Sequence, residues 1–161
     1  MRIVFWGTPD FAIPSLRALL GEGFEVVAAV TQPDRSHGRS RSTLVPPPVK
    51  VVALEEGIRV LQPENPSREV FLAELDAIEH DLGVVVAYGH ILRKHILELP
   101  PHGMVNVHAS MLPALRGAAP IEHAILEGYE ETGVSIMQVV EQMDAGPIIH
   151  QVATPIAPDE T

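Results

Sequence analysis

Asn106 and His108 stand two residues apart at the end of an apolar run, in Val105-Asn106-Val107-His108. Alternate side chains of a β-strand share a face, so a strand here points the carboxamide and the imidazole the same way. A carboxamide N–H can donate to an oxyanion developing on an acyl carbon. An imidazole can move a proton near neutral pH. Acyl-group chemistry is what this pair suits. The strand must end soon after it, because Pro113 in Ser110-Met111-Leu112-Pro113 donates no ladder hydrogen bond. Arg116 and Gly117 then lead into a helix-like run. Asp144, in Glu141-Gln142-Met143-Asp144-Ala145-Gly146-Pro147, offers a carboxylate in a turn after a later strand. Spacing leaves two readings of it open: ordinary turn chemistry, or the third member of a triad that orients the histidine.

The elements that must position these groups alternate along the chain. Ile3–Trp6, Glu25–Val30, Ile58–Leu61, Leu82–Ala87 and Met104–His108 read as strands, several apolar throughout and so buried on both faces. Pro14–Leu20, Val49–Glu56, Val70–Glu79 and Arg93–Leu97 carry helical spacing between them. That alternation predicts an α/β fold built on a doubly wound, mostly parallel sheet. Pro120–Gly128 reads as a further helix, and Gly133–Val140 with Pro147–Val152 as a hairpin turned at Asp144-Ala145-Gly146.

The first turn, Gly7-Thr8-Pro9-Asp10-Phe11, reads as a capped helix start, with Thr8 as cap and Pro9 at the first helical position. It lacks the second and third glycines of a dinucleotide fingerprint, so a nicotinamide cofactor is not expected. Arg35 to Pro48 is the one long irregular segment, its serines, glycine and three prolines opposing both helix and ladder. On a chain of net charge −10, residues Thr31 to Lys50 set Arg35, Arg39, Arg41 and Lys50 against Asp34 alone. The overall charge argues against non-specific nucleic-acid binding, whereas this stretch suits either a local phosphate reader or a solvated loop. With no cysteine, disulfides and thiolate metal sites are excluded. Of the other histidines, His80, His90, His95, His102, His123 and His150 show no metal-ligand spacing, and no metal is expected. The first residues are too short an apolar run for a secretory signal, and no apolar stretch reaches membrane-spanning length. A cytoplasmic protein without a membrane partner is the expectation.

Taken together these motifs resemble a known family. Asn106-Val-His108-Ala-Ser110-Met-Leu-Pro113 followed by Arg116-Gly117 is similar to the signature of the formyltransferases that use 10-formyltetrahydrofolate, and Asp144 sits where that family carries a catalytic aspartate. Gly7-Thr8-Pro9-Asp10-Phe11, Thr31-Gln32-Pro33-Asp34-Arg35, Gly38-Arg39, Pro48-Val49-Lys50, Val85-Val86-Ala87-Tyr88-Gly89 and Gly117-Ala118-Ala119-Pro120-Ile121 resemble, within it, the methionyl-tRNA formyltransferases.

The resemblance implies a Rossmann-like formyltransferase fold and transfer of a formyl group from 10-formyltetrahydrofolate to the amine of methionyl initiator tRNA, for translation initiation. It implies that Asn106, His108 and Asp144 are catalytic. It implies donor contacts from Ser110, Met111, Leu112 and Pro113, and from Val86, Tyr88, Gly89, Ile91 and Leu92. It assigns tRNA contacts to Arg35, Arg39 and Arg41. Met111 replaces the usual leucine and Arg93 a usual proline. Tyr88 is open between a half-buried packing residue with its hydroxyl in solvent and a ligand contact, and Arg116 between substrate and helix end. Residues 1–161 correspond to the N-terminal catalytic part of such enzymes, without their C-terminal β-barrel domain. Pro155 to Thr161 reads as a helix about to start, with Thr161 as its cap, so the fold is expected to be incomplete there. Transfer to an amino sugar or to glycinamide ribonucleotide, hydrolysis of formyltetrahydrofolate, and an inactive folate-binding fragment remain the alternatives.

Overall fold

Arg2–Gly7 (β1) is apolar at every position from Ile3 to Trp6, and all four side chains are buried. A strand with no polar face belongs inside a sheet covered on both sides. In this computed structural model, which describes residues 1–37 and 43–160, β1 pairs in parallel with Glu25–Val30 (β2) on one side and Leu82–Val86 (β6) on the other. Arg59–Leu61 (β5) adds in parallel to β2, giving the order β5-β2-β1-β6. The chain leaves β1 in one direction to reach β2 and returns to its other edge with β6. Such a reversal of strand order opens a crevice at the carboxyl ends of the strands.

The described chain forms two units, Met1–Met104 and Val105–Thr161. In the first, Ile13–Gly21 (α1) buries Leu16. Pro48–Glu55 (α2) starts on its proline and buries Val49, Val52 and Ala53, a spacing of three and four that makes one face. Glu69–Asp76 (α3) buries Phe71 and Leu75, and Lys94–Leu97 (α4) buries Ile96 and Leu97. The segment read as wholly irregular contains a short antiparallel hairpin, Arg35–His37 (β3) with Thr43–Val45 (β4). Arg39 and Arg41 lie outside the described residues, as does Thr161, the expected cap.

Thr8 is not a helix cap. The chain makes a 3-10 turn at Asp10–Ala12 and enters α1 through Ala12, with no side-chain cap at either start. The Thr8 hydroxyl donates instead to the Tyr88 carbonyl, at 2.9 Å.

The second unit begins within Met104–His108 (β7), which from Val105 on pairs antiparallel with Glu131–Gln138 (β8), as β8 does with Ile148–Pro155 (β9); Pro120–Leu126 (α5) connects β7 to β8 along the chain. The expected hairpin of β8 and β9 forms, each strand a few residues displaced from its sequence reading. Gly133, Ser135 and Met137 take the buried face of β8 by alternation. The register sets His108 opposite Ser135, and Ser135 opposite Gln151, in one row across three strands.

Candidate active site

The end of β7 delivers Asn106 half-buried and His108 buried. The imidazole Nε2 lies 2.9 Å from the Leu115 carbonyl oxygen. A carbonyl only accepts, so Nε2 carries a hydrogen. In the neutral ring the nitrogen left to take a proton is therefore Nδ1. That atom faces the Asp144 carboxylate, whose Oδ2 is 3.9 Å away, an ion-pair distance if the ring is charged and too long for a hydrogen bond. Oδ2 accepts instead from the Gly117 N–H at 2.7 Å. Asp144 and His108 are thus brought together, yet the hydrogen bond that orients the ring comes from Leu115. Leu115 and Asp144 both hold left-handed backbone, with φ of 55° and 48°. Such a conformation costs a non-glycine residue about 1 kcal/mol or more and persists only where surrounding contacts enforce it.

The loop from Ala109 to Gly117 is enforced from several directions. The Ser110 hydroxyl donates to the Ala114 carbonyl at 2.7 Å. Ser135, fully buried, donates to the Ser110 carbonyl at 2.6 Å, accepts from the Leu112 N–H at 3.0 Å and accepts from Gln151 Nε2 at 2.8 Å. One donor and two acceptors are all that a hydroxyl has, and each is used. Gln151 also donates to the Leu112 carbonyl at 2.9 Å. Ser110 and Leu112 are buried, Met111 is half-buried and Pro113 exposed. The turn bearing Asp144 is closed by Gln138, whose N–H donates to the Pro147 carbonyl at 2.9 Å, while a Cβ on Gly146 would collide with the Gln138 carbonyl.

Sequence reasoning passed over Ser135, Gln151, the Leu115 carbonyl and the Gly117 N–H. Ser135 had a signal, a hydroxyl at an inward position of a strand, which must find partners. The backbone groups had none, since every residue carries them.

In the first unit the register aligns three strand ends: Gly7 with Val86, and Trp6 with Val30. Thr8, Gln32 and Tyr88 therefore meet. Gln32 Nε2 donates to the Tyr88 carbonyl at 3.2 Å, and the Gln32 N–H to the Thr8 hydroxyl at 3.3 Å. A cavity of about 400 Å³ opens at these ends, lined by Thr8, Gln32, Arg35, Ala87, Tyr88 and Gly89 among others. Arg35 is exposed on β3.

Tyr88 is not half-buried. Its ring packs edge-on against Trp6 at 5.2 Å, its hydroxyl is inside, and burial pushes the phenol far above its ordinary range. Val86 is fully buried and can present only backbone to a ligand, Leu92 is buried, and Ile91 is exposed. Arg116 is exposed. Among the described residues no three His, Asp or Glu side chains stand together as metal ligands, and no helix is long and apolar enough to cross a membrane.

Comparison with known proteins follows the same lines. The family model described as "Formyl transferase" matches residues 1–161. A protein of Halalkalibacterium halodurans named "Methionyl-tRNA formyltransferase" is 53% identical over 160 residues, which are 99% of this chain and 50% of that protein. One of the same name from Halorhodospira halophila is 54% identical over 160 residues, covering 99% of this chain and 51% of its own. The chain therefore spans about half the length of these relatives. A solved phosphoribosylglycinamide formyltransferase from Bacillus halodurans superposes with a TM-score of 0.78 at 27% identity, over 100% of this chain and 83% of its own. A glycinamide ribonucleotide transformylase from Symbiobacterium toebii does so with a TM-score of 0.76 at 26% identity, over 100% and 76%.

Proposed function

The chain belongs to the formyl transferase family, and from that premise we propose that it transfers the formyl group of 10-formyltetrahydrofolate to the amine of methionyl initiator tRNA, in the cytoplasm. The observation that carries the reading is the His108 ring, held through Nε2 with Nδ1 turned toward Asp144 and Asn106 on the same strand. Relatives named for that acceptor, about half identical over nearly the whole chain, support the choice of amine over that of other formyltransferases.

In this reading the amine nitrogen attacks the formyl carbon and a C–N bond forms. The Asn106 carboxamide donates to the oxygen that becomes negative. The proton shed by the amine passes to His108 Nδ1, and the ring returns it to the folate nitrogen as the old C–N bond breaks, so that charge and protons balance. Asp144 lies where a positive ring is attracted to it. The Ser110–Pro113 loop is assigned to the donor, together with the backbone at Val86, Tyr88 and Gly89 and the side chains of Ile91 and Leu92. Arg35, Arg39 and Arg41 are assigned to tRNA phosphates, which guanidinium groups bind in bidentate fashion.

A formylation assay tests this with 10-formyltetrahydrofolate and, in turn, methionine-charged initiator tRNA, glycinamide ribonucleotide, an amino-sugar nucleotide and no acceptor. Formylmethionyl-tRNA is the expected product. Formate released without acceptor would support hydrolysis, and donor binding with no transfer an inactive domain. Asn106→Ala should lower kcat by about 10²–10³ (roughly 3 kcal/mol) while donor binding is kept. His108→Ala should likewise lose transfer and keep the donor.

A further inference from the structure

We propose that Asp34, Lys50 and Gln62 are positioning residues that pin the two ends of the β3–β4 hairpin and so hold Arg35 for the acceptor. Asp34 immediately precedes β3, and Lys50 lies on α2 just beyond β4. The Lys50 ammonium donates to both Asp34 oxygens and to Gln62 Oε1, each at 2.8 Å, which uses all three of its hydrogens. Gln62 Nε2 donates to Asp34 Oδ1 at 2.8 Å and to the Gln32 carbonyl at 2.9 Å. Gln62 arrives there because β5 pairs with β2, Val30 opposite Leu61, with the Thr31 N–H donating to the Leu61 carbonyl at 2.9 Å. Through Gln32 the network reaches the Tyr88 carbonyl. The pin therefore ties the hairpin base to the strand ends that line the cavity, and Arg35, Ser36, Val45 and Pro47 of the hairpin and its flank form part of that lining.

A pin is needed there. Each strand of the hairpin has three residues, and a two-stranded hairpin of that length does not hold itself together in water. Tying residue 34 to residue 50 closes the segment and removes most of the freedom its ends would have. The ion pair is partly exposed, and pairs of that kind add little to global stability. Its effect is local.

The role of the pin in acceptor binding rests on the reading of the acceptor as methionyl-tRNA, and the test separates the two. Backbone amide exchange is measured on the parent, Lys50→Met and Lys50→Arg, alongside the KM for methionyl initiator tRNA, the KM for 10-formyltetrahydrofolate, and kcat. In Lys50→Met, amides at residues 35–37 and 43–45 should exchange about tenfold faster, with β1 and β6 unchanged. The KM for tRNA should rise about tenfold, with the donor KM and kcat within about twofold of the parent. Lys50→Arg keeps the charge and should restore most of both. Exchange in Lys50→Met equal to the parent, faster exchange spread over the whole unit, or a fall in kcat with the KM for tRNA unmoved would overturn the pin. A parent chain that makes no formylmethionyl-tRNA overturns the acceptor reading instead, and the exchange rates still decide whether the pin exists.

Discussion

Two loops of this molecule are both held by side chains, and they are held differently. The loop from Ala109 to Gly117 is held at Ser110, Leu112, Ala114, Leu115 and Gly117, with the fully buried Ser135 at the centre of the hold. The hairpin of Arg35–His37 and Thr43–Val45 is gripped at its base by the Lys50–Asp34 ion pair, which water still reaches. Buried hydrogen bonds lose their whole benefit when one partner is removed, because the other is left without water. Partly exposed ion pairs lose little, because water takes over. A loop that must place reacting atoms to a fraction of an ångström suits the first kind of hold. On the acceptor reading proposed above, a hairpin that meets a large, charged partner suits the second.

If that contrast is right, substitutions behind the Ala109–Gly117 loop should cost far more than substitutions at the hairpin base. The largest effect is expected for Gly146→Ala, where the new methyl would meet the Gln138 carbonyl and push the Asp144 turn aside. A loss of about 3 kcal/mol in denaturant unfolding is expected, with transfer activity lost alongside it. Ser135→Ala should come next, at about 2 kcal/mol, since it strands the Ser110 carbonyl, the Leu112 N–H and one Gln151 hydrogen bond together. Unfolding of Ser135→Ala within error of the parent would end the contrast.

The smallest effect is a pH dependence. Hydrogen bonds from Lys50 and Gln62 hold the Asp34 carboxyl below its ordinary range. A carboxylate lowered on folding stabilises the native state above its unfolded pKa, and that stabilisation disappears as pH falls through the folded value. The stability gap between the parent and Asp34→Asn should therefore be constant near neutrality and close only in acid, below the ordinary carboxylate range. A gap that widens in acid would reverse the sign of the argument.

Much of this was legible in the chain. Apolar strands such as Ile3–Trp6 announce themselves by burial on both faces, and Asn106 and His108 by their spacing on one of them. Asp144 could not be settled by spacing, because an aspartate in a glycine turn is common, and only the register of β7 and β8 brings it toward the imidazole. The β3–β4 hairpin was hidden because each arm is only three residues long and proline-flanked, too short for alternation to show. Thr8 read as a cap because local sequence cannot reveal that β6 ends beside it and offers the Tyr88 carbonyl. The groups that orient His108 and anchor Asp144 are backbone atoms, and their placement depends on the left-handed turn at Leu115 and the path of the loop.

The account turns on the orientation of one ring. Long-range 1H–15N correlation spectra of 15N-histidine-labelled protein, with the His108 signals identified by their disappearance in His108→Gln, report which nitrogen bears the hydrogen in the neutral ring. A hydrogen on Nε2, with Nδ1 bare, is the predicted result. A hydrogen on Nδ1 would mean that the Leu115 carbonyl does not hold the ring, and the proposed proton path through Nδ1 would fail.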